Sequence, residues 1–238
     1  MTRNLKISVA LVAVLLVGLL TVALVSDPSD EPAAAAETIA ATTAGDSDDA
    51  SAPAETGATV APVLRPDSHR LSVARDGRVT LVEFLDFECE SCGALYPLME
   101  ELREQYDGRV TFAIRYFPLP GHANAGTSAL AVEAAARQGA LEPMYRTMFE
   151  TQAQWGEQQE SKAPLFREFA SRLGLDMRRF DRDVAAEATA ARVLRDQQDG
   201  TALGIQGTPA LYLNGRELTL ESAEQLRADI DAALAESE

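Results

Sequence analysis

An almost unbroken apolar run occupies Ile7 to Val25, interrupted only by Ser8, Gly18 and Thr21. As a helix rising about 1.5 Å per residue, it matches the roughly 30 Å hydrocarbon core of a bilayer. It has no polar face, unlike a helix buried in a soluble core. Arg3 and Lys6 precede it, and the chain just beyond carries acids without a nearby base. The positive-inside bias then holds the N-terminus in the cytoplasm and sends the rest outside. A cleaved signal peptide is the competing reading. The run is longer than an ordinary signal core, and Val22 to Ser26 is a poor cleavage site, which favours an uncleaved anchor over residues 1–25. Residues 26–62 contain almost nothing large and apolar and no Lys or Arg. Such a stretch cannot bury enough surface to offset its conformational entropy, and its acids repel one another. It reads as an extended, disordered acidic linker.

From residue 63 to 238 the pattern is that of a globular domain. Val79 to Phe87 is apolar enough for a central strand. Leu95, Leu98, Met99, Leu102 and Tyr106 then recur at helical spacing along one face, closed by Asp107-Gly108. Pro97 falls inside that helix and should kink it. Val110 to Phe117 reads as the next strand, making a β-α-β unit with parallel strands. Helices follow over 124–138, 143–155, 164–173 and 177–203, the last capped by Asp176 and closed by Gly204. A strand from Pro209, the turn pair Asn214-Gly215 and a second strand to Leu220 make a hairpin. A final helix starts at Ser222 with a Ser-x-x-Gln capping box.

Composition narrows the function. The formal net charge of −16 argues against a nucleic-acid partner, which needs a basic surface. Lysine occurs only at Lys6 and Lys162 while arginine and alanine abound, a skew that fits a GC-rich bacterial genome. Two cysteines, Cys89 and Cys92, are the whole complement, too few for a disulfide-stapled scaffold.

The pair sits between a strand end and a helix start. There a thiol meets unpaired backbone N–H groups and the positive end of the helix dipole, which favour its thiolate. The thiolate is the nucleophile of disulfide exchange, and a second thiol one turn inward can resolve the mixed disulfide. Cys89 is thus the attacking thiol and Cys92 the resolving one. Half a zinc site is a poor alternative, because only His69 and His122 remain as further soft ligands, neither at finger-like spacing. An inert disulfide is another, although so short a loop constrains little of the unfolded chain. No metal or other cofactor is expected.

The order strand, Cys-x-x-Cys, proline-bearing helix and strand, followed by Gly207-Thr208-Pro209, a hairpin and a last helix, resembles the thioredoxin superfamily. The helical insertion, about 123–204, and Tyr116 to His122 resemble its DsbA-like branch of exported bacterial proteins. The resemblance implies an α/β thioredoxin-like fold with Pro209 as a cis-proline and the Thr208 backbone open to pairing with a client peptide. It makes Glu83 the buried acid that assists deprotonation of the resolving thiol. His122 reads as a cap or surface residue, and Trp155 and the methionines as core. The implied activity is thiol–disulfide exchange, as an oxidase, with cysteine-containing exported proteins. It requires a membrane or extracytoplasmic redox partner. A reductase or isomerase, or a binding module with a static disulfide, are the alternatives. Strongly oxidising members resemble Cys-Pro-His-Cys, whereas here Glu90 and Ser91 intervene and Glu88 flanks the pair. Ser91 can donate a hydrogen bond, but the carboxylates are expected to raise the Cys89 pKa.

Overall fold

The computed structural model describes residues 62–237. The expected anchor over 1–25 and nearly all of the linker lie outside them. Among the described residues no helix is long and apolar enough to cross a membrane.

Five strands form one mixed sheet: β1 (His69–Ser72), β2 (Val79–Leu85), β3 (Val110–Tyr116), β4 (Ala210–Leu213) and β5 (Arg216–Leu218), in spatial order β1-β3-β2-β4-β5. β2 runs parallel to β3 in unbroken register from Val79 opposite Val110 to Leu85 opposite Tyr116. The remaining pairings are antiparallel. β2 is central, which is why it reads as nearly continuous apolar sequence. Its alternate residues face opposite layers, as the two-residue period of a strand requires. Val79 and Leu81 pack with Leu95, Met99, Leu102 and Tyr106, while Val82 and Phe84 pack with Ala113, Ile205 and Tyr212. Glu83 shares the side of Val79 and Leu81.

The β2–β3 crossover is helix α1 (Glu90–Gln105), which passes through Pro97 and buries Cys92, Leu95, Met99 and Leu102. Six helices separate β3 from β4, where the hydropathy pattern suggests four: α2 (Ala125–Ala136), α3 (Leu141–Glu150), α4 (Gln152–Trp155), α5 (Ala163–Arg172), α6 (Met177–Val184) and α7 (Glu187–Ala202). Two expected helices are broken. The stretch 143–155 divides at Thr151, whose hydroxyl donates to the Thr147 carbonyl at 2.6 Å, and 177–203 divides at Ala185-Ala186. The Asp176 cap is present, accepting the Arg178 and Arg179 amides. Helix α8 (Ala223–Glu236) ends the fold. Ser222 caps it through the Gln225 amide, but the Gln225 side chain goes to Asp229, so only half of the box forms. Asn214 and Gly215 have φ of 50° and 81°, as a tight hairpin with two left-handed residues demands.

β1 is an element that the apolar pattern misses. It is short and half-buried along its length, so it lacks a clear alternation. A buried ion-pair group also goes unread in the sequence. Arg115 of β3 is fully buried, bonds Asp196 at 2.6 Å and pairs with Asp199, which Arg65 also holds at 2.5 Å. It locks α7 to the sheet.

Candidate active site

β2 ends at Leu85, and the chain turns through Asp86 to Glu88 before entering α1. Cys89 is the helix N-cap, with extended backbone (φ −68°, ψ 120°), and Cys92 lies one turn inward. Both are free thiols; Cys92 is fully buried and Cys89 is 7% exposed. That difference decides which sulfur a partner can reach.

The two thiols are driven apart in acidity. A hydrogen bond from Cys92, set against desolvation and joined by the Thr208 side chain and the Cys92 and Ser91 amides, lowers the Cys89 pKa to about 5. Burial, and then the same hydrogen bond, push Cys92 far up. As a thiol, Cys89 donates to the Thr208 carbonyl at 3.3 Å. The Thr208 hydroxyl is buried without a partner, so it is the donor available when the sulfur ionises. The Thr208–Pro209 peptide is cis.

Glu83 is 2% exposed. Desolvation, aided by the Cys89 charge, raises its carboxyl to about 8. Its field in turn raises Cys92. A carboxyl that titrates near neutrality beside a poorly acidic thiol is suited to passing a proton to or from it.

The two flanking carboxylates sit in different settings. Glu88 is buried and accepts the Asn124 amide at 2.5 Å, while Glu90 is exposed at the helix start. The net shift of Cys89 is toward greater acidity. Its largest causes are the Cys92 and Thr208 side chains and the helix-start amides, with burial opposing them, rather than Glu88 or Glu90. Ser91 supplies the expected hydrogen bond through its backbone amide.

His122 is more than a surface residue. Its Nδ1 meets Asp86 Oδ2 at 2.7 Å, and Asp86 also accepts the Leu119 and Glu88 amides at 3.0 and 2.8 Å. Desolvation works against the imidazolium, but the Asp86 bond and the Cys89 and Glu88 charges outweigh it and raise the His122 pKa. Asp86, Asn124 and Gln152 are the residues that sequence reasoning missed. Gln152 Nε2 donates to the carbonyls of Phe87 and Cys89, each at 2.8 Å. Nothing in the local pattern around Gln152 marks it, whereas Asp86, an acid closing an apolar strand, carried a weak signal. Among the described residues no cluster of three or more His, Cys, Asp or Glu could hold a metal ion.

A five-stranded mixed sheet with a Cys-x-x-Cys pair at the start of the β2–β3 crossover, and a cis-proline just before β4 whose preceding carbonyl meets Cys89, defines the thioredoxin class. Residues 74–232 match the sequence profile of a thioredoxin family. The chain belongs to that family, and its fold is DsbA-like. It is similar to the crystal structure of a thioredoxin-like oxidoreductase from Silicibacter pomeroyi (TM-score 0.59, 23% identity), covering 71% of this chain and 93% of that one. It is also similar to α-DsbA1 of Wolbachia pipientis (TM-score 0.63, 15% identity), covering 73% and 94%. Oxidised BdbD of Bacillus subtilis gives a TM-score of 0.59 at 19% identity, covering 71% and 97%. By sequence, it is 34% identical over 152 residues to the Na(+)/H(+) antiporter NhaA 3 of Salinispora tropica, covering 63% of this chain and 22% of that one. It is 32% identical over 161 residues to the NhaA of Herminiimonas arsenicoxydans, covering 66% and 24%. The matched region thus spans less than a quarter of those two relatives.

Proposed function

We propose that this protein is a thiol–disulfide oxidoreductase that oxidises pairs of cysteines in exported proteins. The observation that carries this reading is the placement of one Cys-x-x-Cys pair at a helix start: Cys89 is the N-cap, the more exposed of the two sulfurs, and meets the Thr208 carbonyl before the cis-proline, while Cys92 is fully buried. Donors lower Cys89 to about 5 and burial raises Cys92. A stabilised Cys89 thiolate stabilises the reduced form, which makes the disulfide the stronger oxidant.

In the oxidising direction a client thiolate attacks the Cys89 sulfur of a Cys89–Cys92 disulfide. The S–S bond breaks, its electron pair leaves on Cys92, and Glu83 supplies the proton that this sulfur strongly holds. A second client thiolate then attacks the client sulfur of the mixed disulfide and expels the Cys89 thiolate. The client leaves oxidised by two electrons, and a separate thiol-oxidising partner must take them from Cys89 and Cys92. Thr208 and Pro209 line the approach to Cys89 and offer backbone to a client peptide.

The apolar run over 1–25 supports placing the domain outside the cytoplasm, held to the membrane through the acidic linker. No cofactor is required by this chemistry.

The test is trapping in intact cells. Cys92→Ala should accumulate mixed disulfides with exported proteins, and Cys89→Ala should not. Trapping by Cys89→Ala instead would reverse the two roles. No exchange with glutathione by the unaltered protein would leave only a static module.

A further inference from the structure

The Cys-x-x-Cys loop is gripped by a side chain from the helical insertion. Gln152 is the first residue of α4, just past the break at Thr151. Its Nε2 bridges two carbonyls that bracket the start of the redox helix, Phe87 and Cys89, at 2.8 Å each. The Cys89 carbonyl is also the first acceptor of the α1 ladder, taking the Gly93 amide at 3.1 Å. Two donors therefore fix the Cys89–Glu90 peptide, whose orientation sets where the following amides aim.

The other end of the same carboxamide explains Gly93. A Cβ on Gly93 would lie 2.0 Å from Gln152 Oε1 and 2.8 Å from its Cδ, so glycine is what lets the amide seat. Helix α4 is held in turn by Trp155, fully buried 4.8 Å from the Phe166 ring, and by the Gly156 amide on the Gln152 carbonyl at 2.7 Å. The helix break at Thr151, the packed Trp155 and the missing side chain at Gly93 all serve one contact.

We propose that Gln152 is a positioning residue for disulfide exchange: by holding the Cys89 carbonyl it keeps the Ser91 and Cys92 amides on the Cys89 sulfur and so sets the potential of the couple. The insertion thereby tunes the redox pair as well as flanking it. This rests on Cys89 being the exchanging thiol.

Gln152→Met keeps the length and packing of the side chain but removes the donor. It should weaken Cys89 thiolate formation about three- to tenfold, the worth of one hydrogen bond. The glutathione equilibrium should shift by a similar factor toward the protein disulfide. Gly93→Ala, which must displace the carboxamide tip, should reproduce that shift and add little to Gln152→Ala in the double variant. The readouts are thiolate ultraviolet absorbance against pH and the glutathione equilibrium constant, with folding checked by Trp155 fluorescence. A lowered melting temperature with unchanged thiolate titration and equilibrium constant would reduce Gln152 to a structural strut and overturn the proposal. Additive effects in the double variant would separate Gly93 from Gln152 and overturn the shared-contact argument. If the unaltered protein fails to equilibrate with glutathione, the fault lies in the exchange reading rather than in Gln152.

Discussion

The carboxylate of Glu88 accepts the backbone amide of Asn124 at 2.5 Å, with both residues buried. Asn124 in turn spans the loop beyond α4: its Nδ2 donates to the Gln158 and Glu160 carbonyls at 2.8 and 3.2 Å, and its Oδ1 accepts the Lys162 amide at 2.7 Å. The acid adjacent to the reactive thiol is therefore part of a staple between the redox loop and the insertion. Glu88→Gln retains an acceptor oxygen and should move the Cys89 titration midpoint by less than about half a unit. Glu88→Ala orphans a buried amide and should cost about 1–3 kcal/mol in denaturant unfolding. A fall of a full unit in the Cys89 midpoint on Glu88→Gln would show that the charge reaches the sulfur after all.

The acidity of Cys89 makes the stability of the reduced protein depend on pH. Its value of about 5 lies below the ordinary thiol value of 9.0 expected of the unfolded chain. A depressed pKa contributes stability that is complete above the unfolded value and is lost as pH falls toward the folded one. The window is therefore about pH 9 down to pH 5. At pH 7 the contribution is about 2–3 kcal/mol, from roughly 1.36 kcal/mol for each pKa unit. Reduced protein should outlast oxidised protein in urea at pH 8, with the gap closing by pH 5. A gap that stays constant across this range would contradict a stabilised thiolate.

Glu83 should behave in the opposite sense. Its carboxyl is raised to about 8 from 4.5, so keeping it in the core opposes folding increasingly as pH rises from about 4.5 to 8. Glu83→Gln removes that penalty and should stabilise the reduced protein by up to about 4 kcal/mol at pH 8, while leaving it nearly unchanged at pH 4. The same change removes the group placed to exchange a proton with Cys92. Formation of the mixed disulfide between the oxidised protein and a client thiol, followed by stopped-flow, should slow about tenfold or more and lose its dependence on pH near 8. Equal stability at both pH values would place the Glu83 charge in a better-solvated setting than its burial implies.

Much of this architecture was legible because the signals were local. The central strand is apolar on both faces, the α1 stripe has helical period, and Asn214-Gly215 adopts the left-handed geometry that its composition invites. Cys89 at the N-cap follows directly from a Cys-x-x-Cys at a strand-to-helix boundary. What was not legible depends on contacts made far along the chain. Arg115 reads as an ordinary polar interruption until α7 delivers Asp196 and Asp199. Glu88 reads as a charge beside a thiol until Asn124 arrives 36 residues later. Gln152 falls in a continuous helical pattern, and only the break at Thr151 turns it onto the redox loop. Flanking charge was a poor guide here because sequence gives proximity along the chain but not the direction in which a carboxylate is tied.

The residues between the cysteines offer the most direct check on that point. Glu90 and Ser91 are both exposed, and Cys89 already lies near 5 through the Cys92 thiol and the amides at the helix start. Replacing Glu90-Ser91 with Pro-His removes one solvated charge and introduces an imidazole. The proline would occupy the first helical position, where a missing N–H costs little, so the helix start should survive. The Ser91 amide remains as that of the new histidine, and the Cys92 donor is untouched. An exposed charge at a helix terminus is worth about 0.3–1 kcal/mol, which caps the change near 0.7 of a pKa unit. The couple should therefore become more oxidising by no more than about 20 mV, at roughly 30 mV for 1.4 kcal/mol. Equilibrium titration against glutathione measures this directly. A rise of 60 mV or more that Glu90→Gln alone reproduces would mean that Glu90 weighs on the sulfur far more than its exposure allows; one that needs the histidine would mean that the new imidazole reaches the sulfur.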